Sequence, residues 1–315
     1  MLAAPDVIAG FGLPGTATGM IPVAAGEMGR IWRLDTTSGR YAVKELFWDS
    51  DEDTVRREVA LRDAAAAAGI RAPANIAGPD GCYLRDRLRC YEWIDGVAMR
   101  PDEPGRSEWL GRTLARLHCL RPPVEERPRD PGEDWYDTAP AASEWDRLAS
   151  VDRPWASAVE HARPRLRELA RMATRSDQPM IFSHRDLQAQ NVLIDGDGPV
   201  LLDWEDAGPV APDRALAGAL CTWHVRPERI DEAGITATMR AYRQGGGAAR
   251  LKWPDSFGGI FAGALNFIVA QADRALDDQL PADLRRTAAD RMPRLLADLP
   301  VPQRFSDVLT VVKGL

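Results

Sequence analysis

An α+β fold in two lobes, a small antiparallel sheet followed by a larger, mainly helical part that carries a β-hairpin, is what the 315-residue sequence predicts. Three observations lead there. Residues 22–47 read as strand, turn and strand. Beyond Gly96 the apolar spacing lengthens to that of helices. Within that helical part, Val192-Leu193-Ile194 and Val200-Leu201-Leu202 flank Asp195-Gly196-Asp197-Gly198, which is turn chemistry. The expected division is a lobe of residues 1–94 and a second of residues 95–315.

In the first lobe, Ile31-Trp32-Arg33-Leu34 is a strand, Thr36 to Gly39 a turn, and Tyr41 to Phe47 the next strand, with Lys44 inside it. Before them, Ala24 to Arg30 contains Gly26 and Gly29, which suits either a phosphate-covering loop or an ordinary hairpin turn. Asp53 to Ala68 reads as a helix: Asp51 or Asp53 can cap it, Val55, Val59 and Leu61 supply apolar positions, and Gly69 ends it. Glu58 stands in this helix among Arg56, Arg57 and Arg62. It is either their surface partner or a carboxylate facing the sheet. Two short strands are expected at Cys82–Arg85 and Leu88–Ile94.

Helices are expected at 108–120, 141–149, 155–173, 212–223, 228–244, 255–278 and 282–297. His118 in the first of these reads as a packed or surface residue. Residues 121–140, rich in proline and acid, read as a surface loop or a cover for substrate. Gly245-Gly246-Gly247 stops a helix and lacks the Lys-Ser/Thr of a phosphate-binding loop.

The stretch Ser183 to Gly208 carries the chemistry, through Asp186, Asn191 and Asp203. With a three-residue loop centred on Asp197, Asp195 faces Pro199 and Asn191 faces Asp203. Opposed Cβ atoms in such a ladder lie roughly 5 Å apart, close enough for both side chains to hold one hard cation. Asp186 sits just upstream of the first strand. The expectation is two magnesium ligands, Asn191 and Asp203, with a carboxylate beside them.

His-x-Asp-x-x-x-x-Asn followed by a strand pair and an Asp is the phosphoryl-transfer pattern of kinases. Together with Asp203-Trp204 and Ala207-Gly208-Pro209, it resembles the aminoglycoside phosphotransferase and choline-kinase-like family, which has a protein-kinase-like fold. The resemblance implies a nucleotide-binding first lobe using ATP or GTP with Mg²⁺. In it Gly26 and Gly29 cover the phosphates, and Glu58 holds Lys44 against the α- and β-phosphates. The carbonyl of Glu92 and the amide of Ile94 read the base at the hinge Tyr91–Gly96. Asp186 would take or orient the proton of an acceptor hydroxyl, and His184 would anchor the loop. Glu205 either assists a second metal or lies on the surface. Arg185 departs from the glycine usual in the small-molecule branch. Asp203-Trp204-Glu205 departs from the Asp-Phe-Gly of protein kinases, and no Ala-Pro-Glu follows.

Composition narrows the partners. The net charge of −7 and pI of about 5.3 argue against nucleic acid or an anionic membrane. No basic, apolar leader and no apolar run of spanning length is present, so a cytoplasmic protein is expected. The four cysteines lack metal-binding spacing and read as reduced thiols. Only three of the 40 basic residues are lysine, so a lysine at 44 suggests that a compact ammonium is wanted there.

The leading expectation is therefore a kinase acting on a hydroxyl of a small molecule, an antibiotic or an amino-alcohol-like metabolite. The acidic stretch Asp273 to Asp278 is either a solvated face or a help in binding a cationic acceptor. A catalytically silent nucleotide-binding scaffold of the same fold is the alternative. A protein kinase is disfavoured by the missing activation segment. Oligomeric state is not set by the sequence.

Overall fold

Strands β1 (Ala17–Ala25), β2 (Gly29–Thr36), β3 (Gly39–Leu46), β4 (Asn75–Ile76) and β5 (Leu88–Glu92) form an antiparallel sheet in the order β1-β2-β3-β5-β4. The computed structural model describes residues 2–26, 29–120, 133–226 and 228–315. β2 and β3 pair as the sequence predicts, Trp32 opposite Val43 and Leu34 opposite Tyr41. β1 begins at Ala17, five residues before the expected start of the sheet at residue 22. Pro22 is tolerated because β1 is an edge strand.

The two faces of this sheet differ, as strand alternation requires. Leu34, Val43 and Cys90 point to one side, where helix α1 (Ala4–Phe11) supplies Val7 and Phe11 to a buried cluster. Lys44 is the cross-strand partner of Arg89, so both belong to the opposite side. Helix α2 (Glu52–Ala67) is capped by Asp51, whose side chain accepts from the Thr54 amide. Its buried face comprises Val55, Glu58, Val59, Leu61 and Ala65, which decides against Glu58 as a surface residue. The strand expected at Cys82–Arg85 is absent, apart from a single bridge between Arg85 and Leu88. The Tyr83 and Leu84 amides donate instead to the Glu52 carboxylate, at 2.9–3.1 Å, which takes them out of any ladder.

Strands β6 (Val97–Ala98), β8 (Val192–Asp195) and β9 (Gly198–Leu201) form a second sheet in the order β6-β8-β9, and β7 is Ile181–Ser183. The hairpin is clamped by Arg71, whose two terminal nitrogens donate to the Asp195 oxygens at 2.6 and 2.7 Å. The Leu201 amide also donates to the Arg71 carbonyl. Phe182–Gly208 accordingly belongs to one compact unit with Met1–Pro104 and Cys119–Pro122, whereas sequence order grouped it with the helices.

The second unit comprises Gly105–His118, Pro123–Ile181 and Pro209–Leu315. Its helices are α3 (Arg106–Leu120, which crosses into the first unit at its end), α4 (Ala142–Ala149), α5 (Ala156–Met172), α6 (Pro212–His224), α7 (Glu232–Gln244), α8 (Gly258–Leu276), α9 (Ala282–Ala297) and α10 (Pro302–Lys313). Trp145, Leu148, Leu166, Phe261, Leu265 and Met292 are fully buried here. α1 and α10 are not among the predicted helices. α7 starts later than expected because Asp231 caps it at Gly234. Most of the 121–140 loop, including its reading as a substrate cover, lies outside the described residues. Among the described residues no helix is long and apolar enough to cross a membrane.

Candidate active site

The catalytic stretch begins with His184, which is fully buried. Its Nε2 bonds the Leu202 carbonyl at 2.9 Å, and its ring meets Trp204 edge-on at 4.7 Å between centroids. Burial holds its pKa below the usual histidine range. An imidazole sealed in this way anchors the loop, as the resemblance implies. Arg185 follows with φ of +63°, a left-handed conformation that costs a side-chain-bearing residue about 1–2 kcal/mol and that glycine adopts freely. Here the strain is offset by Arg185 Nε donating to the Asp206 carbonyl at 2.5 Å and Nη2 to its carboxylate at 3.2 Å. A Cβ on Gly208 would lie 2.6 Å from the Arg185 guanidinium carbon, so a larger residue at 208 would displace that side chain from Asp206.

Asp186 is half-buried, and both of its oxygens accept from amides. Asn191 Nδ2 donates to Oδ2 at 2.6 Å and Gln188 Nε2 donates to Oδ1. With Nδ2 committed, Asn191 keeps its side-chain oxygen for another partner. The hairpin register is one residue off the predicted one. Asp195 faces Gly198, not Pro199, across a two-residue Gly196-Asp197 turn. Gly198, the first residue after the turn, takes a φ of +113°, which glycine adopts freely. Asn191 therefore pairs with Leu202, whose amide donates to the Asn191 carbonyl at 2.8 Å. Asp203 lies one step beyond the ladder at φ +59°. A short helical turn, Trp204–Asp206, follows, and Trp204 Nε1 fastens it to the Leu201 carbonyl at 3.0 Å.

Asp203 reaches Lys44. Lys44 Nζ donates to Asp203 Oδ1 at 2.9 Å and also to Glu205 Oε2. Burial alone depresses the lysine pKa, but the Glu205 and Asp203 carboxylates outweigh it and hold the ammonium above the ordinary range. The Asp203 carboxyl is pushed up by burial and pulled down further by Lys44, so it stays ionised. Glu205 Oε1 accepts from the Tyr91 hydroxyl at 2.7 Å and lies 3.6 Å from Arg89.

Glu58 is not the hydrogen-bond partner of Lys44. Its Oε2 accepts from Arg89 Nη1 at 2.6 Å, both side chains being about 97% buried. The reason is local: Arg89 stands beside Lys44 on the same face, and its longer fork reaches the helix carboxylate first. Burial raises the Glu58 pKa, the opposing charge of Arg89 notwithstanding, to about 7.

Gly29 opens β2 where a Cβ would lie 2.4 Å from the Glu45 carbonyl oxygen, so close strand packing requires glycine there. The Gly26 amide donates to the Gly29 carbonyl at 2.9 Å, closing the hairpin between β1 and β2. Glu27 and Met28, at its tip, lie outside the described residues. Glu92 ends β5, and Ile94 lies two residues beyond it.

The sequence reading missed Arg89, Tyr91 and Gln188. The first two were legible in principle, because Leu88-Arg89-Cys90-Tyr91 alternates apolar with polar and so gives the strand one charged face. Among the described residues no group of three or more His, Cys, Asp or Glu side chains could hold a metal unaided. That suits magnesium, which uses one or two protein oxygens and takes the rest from phosphate and water. The Asn191 oxygen and the Asp203 carboxylate, which is 41% exposed, fit that donor set.

A buried lysine flanked by acids, beside an oxygen-donor loop with a held carboxylate, is the equipment of a phosphoryl-transfer enzyme. The model of the phosphotransferase enzyme family matches residues 19–253, and the chain belongs to that family. It is a phosphotransferase of the small-molecule kinase class, with the protein-kinase-like fold. Similar solved structures include a spectinomycin phosphotransferase in complex with ADP and spectinomycin (12% identity, 99% of this chain and 98% of that one, TM-score 0.68). A choline/ethanolamine kinase family protein from Mesorhizobium loti aligns at 22% identity over 99% and 98%, with a TM-score of 0.57. An amicoumacin kinase in complex with AMP-PNP and Ca²⁺ aligns at 16% over 96% and 95%, with a TM-score of 0.60. No curated protein sequence matches the chain.

Proposed function

We propose that the protein transfers the γ-phosphoryl group of ATP to a hydroxyl of a small molecule, with Asp186 receiving or orienting the hydroxyl proton. The observation that carries this reading is the convergence of Lys44, Asp203 and Glu205 on one side and the Asp186–Asn191 pair on the other, within a single unit. Lys44 binds the α- and β-phosphates, and its two acid neighbours keep it charged. Asn191 Oδ1 and Asp203 would hold Mg²⁺, which supplies neutralising charge to the phosphates. The two amide donors fix the Asp186 carboxylate so that a lone pair on each oxygen remains open to an acceptor hydroxyl. Glu92 and Ile94 offer backbone groups to the base, and Gly26 and Gly29 flank the turn above the phosphates. GTP is a candidate donor on the same backbone contacts.

The acceptor is an antibiotic or amino-alcohol-like compound. Support comes from the neighbours, whose described ligands or activities include spectinomycin, amicoumacin, choline or ethanolamine, and aminopropanol. The acidic stretch is a weak argument for a cationic acceptor, since Asp273 pairs with Arg147 and Asp278 with Arg285. Four free thiols suit work in the cytoplasm.

The test is ADP release from Mg-ATP across a panel of hydroxylated natural products and amino alcohols, with the product mass checked for one added phosphate. Acceptor-dependent ADP release is expected. Nucleotide binding with no acceptor-dependent release across the panel would favour the silent scaffold instead.

A further inference from the structure

Two carboxylates are available to set the position of Lys44, and the distances choose between them. Glu58, on α2, gives its Oε2 to Arg89 at 2.6 Å. Glu205 gives one oxygen to Lys44 and the other to the Tyr91 hydroxyl at 2.7 Å, with Arg89 at 3.6 Å. A buried carboxylate needs its lone pairs filled, and Glu205, only 10% exposed, has three partners for them. All of those partners sit on the charged face of strands β3 and β5. Asp203, the other acid on Lys44, is the more exposed group and the one suited to a cation. Glu205 is then the carboxylate left to the ammonium.

We propose that Glu205, held by Tyr91 and Arg89, is the positioning residue for Lys44, so that the phosphate-binding lysine is set by the 203–205 turn and not by helix α2. This rests on the reading of Lys44 as a phosphate ligand. Arg89 has a double part in it. It removes Glu58 from the lysine and lends its remaining charge to Glu205. Lysine and Asp203 thereby share one short segment, so a shift of that segment moves both together.

The experiment is ADP binding by calorimetry in the absence of divalent cations, for wild type, Glu205→Gln, Tyr91→Phe, Glu58→Gln and Lys44→Ala, and for the first two combined with Lys44→Ala. Glu205→Gln should weaken ADP about tenfold and Tyr91→Phe about threefold, with both losses vanishing once Lys44 is alanine. Glu58→Gln should stay within about twofold of wild type. Tyr91→Phe carries the same test should Glu205→Gln not fold. The proposal is overturned if the Glu205 and Tyr91 losses persist without Lys44, if neither variant weakens binding, or if Glu58→Gln costs as much as Glu205→Gln. Absence of ADP binding by the wild type overturns the nucleotide reading along with it. Wild-type binding with any of the other outcomes defeats this inference alone.

Discussion

Two buried polar networks in this molecule look alike on paper and end differently. In the helical unit, His224 lies between Asp231 (3.3 Å) and Thr238 (2.9 Å), an acid–imidazole–hydroxyl series of the kind hydrolases use. Thr238 is fully buried and passes its own proton to the Ser107 carbonyl at 3.1 Å, while Asp231 caps α7. Asp231, 38% exposed, also accepts from Arg106 Nη2 at 3.3 Å, so one end of this network reaches solvent on a side-chain ion pair. In the sheet unit, the series Glu58, Arg89, Glu205, Lys44 starts equally deep and finishes on Asp203, which is 41% exposed. Burial and a shifted pKa are common to both. The exposed acid differs in its partner: Asp231 accepts from the Gly234 amide and Arg106, whereas Asp203 accepts from the buried Lys44.

The comparison breaks most visibly at Asp186. Asp186→Ala should lower turnover by about 10²- to 10⁴-fold with nucleotide affinity nearly unchanged, measured by steady-state ADP release beside calorimetry. Asp203→Ala should act on binding instead and weaken Mg-ATP by about tenfold or more, since it removes a partner of Lys44 and the proposed cation ligand. On the His224 network the order reverses. Thr238→Val should cost about 1–3 kcal/mol of stability by leaving His224 and Ser107 short of a partner, with the transfer rate unchanged. A Thr238→Val enzyme that melts like wild type but loses activity would erase the distinction.

The smallest effects concern pH, and here the networks pull in opposite directions. Burial lowers the His224 pKa to about 4 from its ordinary 6.5. The unfolded chain therefore binds the extra proton first, and stability falls as pH drops from 6.5 toward 4. Glu58 is raised to about 7 from 4.5. The folded state keeps that proton longer, so stability declines as pH rises from 4.5 toward 7. Denaturant titrations across this range should show the Glu58→Gln variant free of the second decline while keeping the first.

Much of this was legible in the order of residues. The spacing of Asp186, Asn191 and Asp203 around two apolar runs announced the hairpin, and Lys44 in an apolar strand announced its partner sheet. The register was not, because Asp195-Gly196-Asp197-Gly198 accommodates a two- or a three-residue loop, and the ladder pairs Asp195 with Gly198. Nor was the partner of Glu58. Its helix face could be counted, but the choice between Lys44 and Arg89 depends on how far a guanidinium reaches across a strand pair. Asp231 as the cap of α7 was hidden in a polar run that continues the helical pattern backward.

The most direct test of the account is single-turnover phosphoryl transfer by Asp186→Ala at saturating Mg-ATP and an acceptor that the wild type phosphorylates. The account predicts a variant that binds nucleotide like the wild type and transfers at least about a hundredfold more slowly. Transfer at the wild-type rate would contradict it.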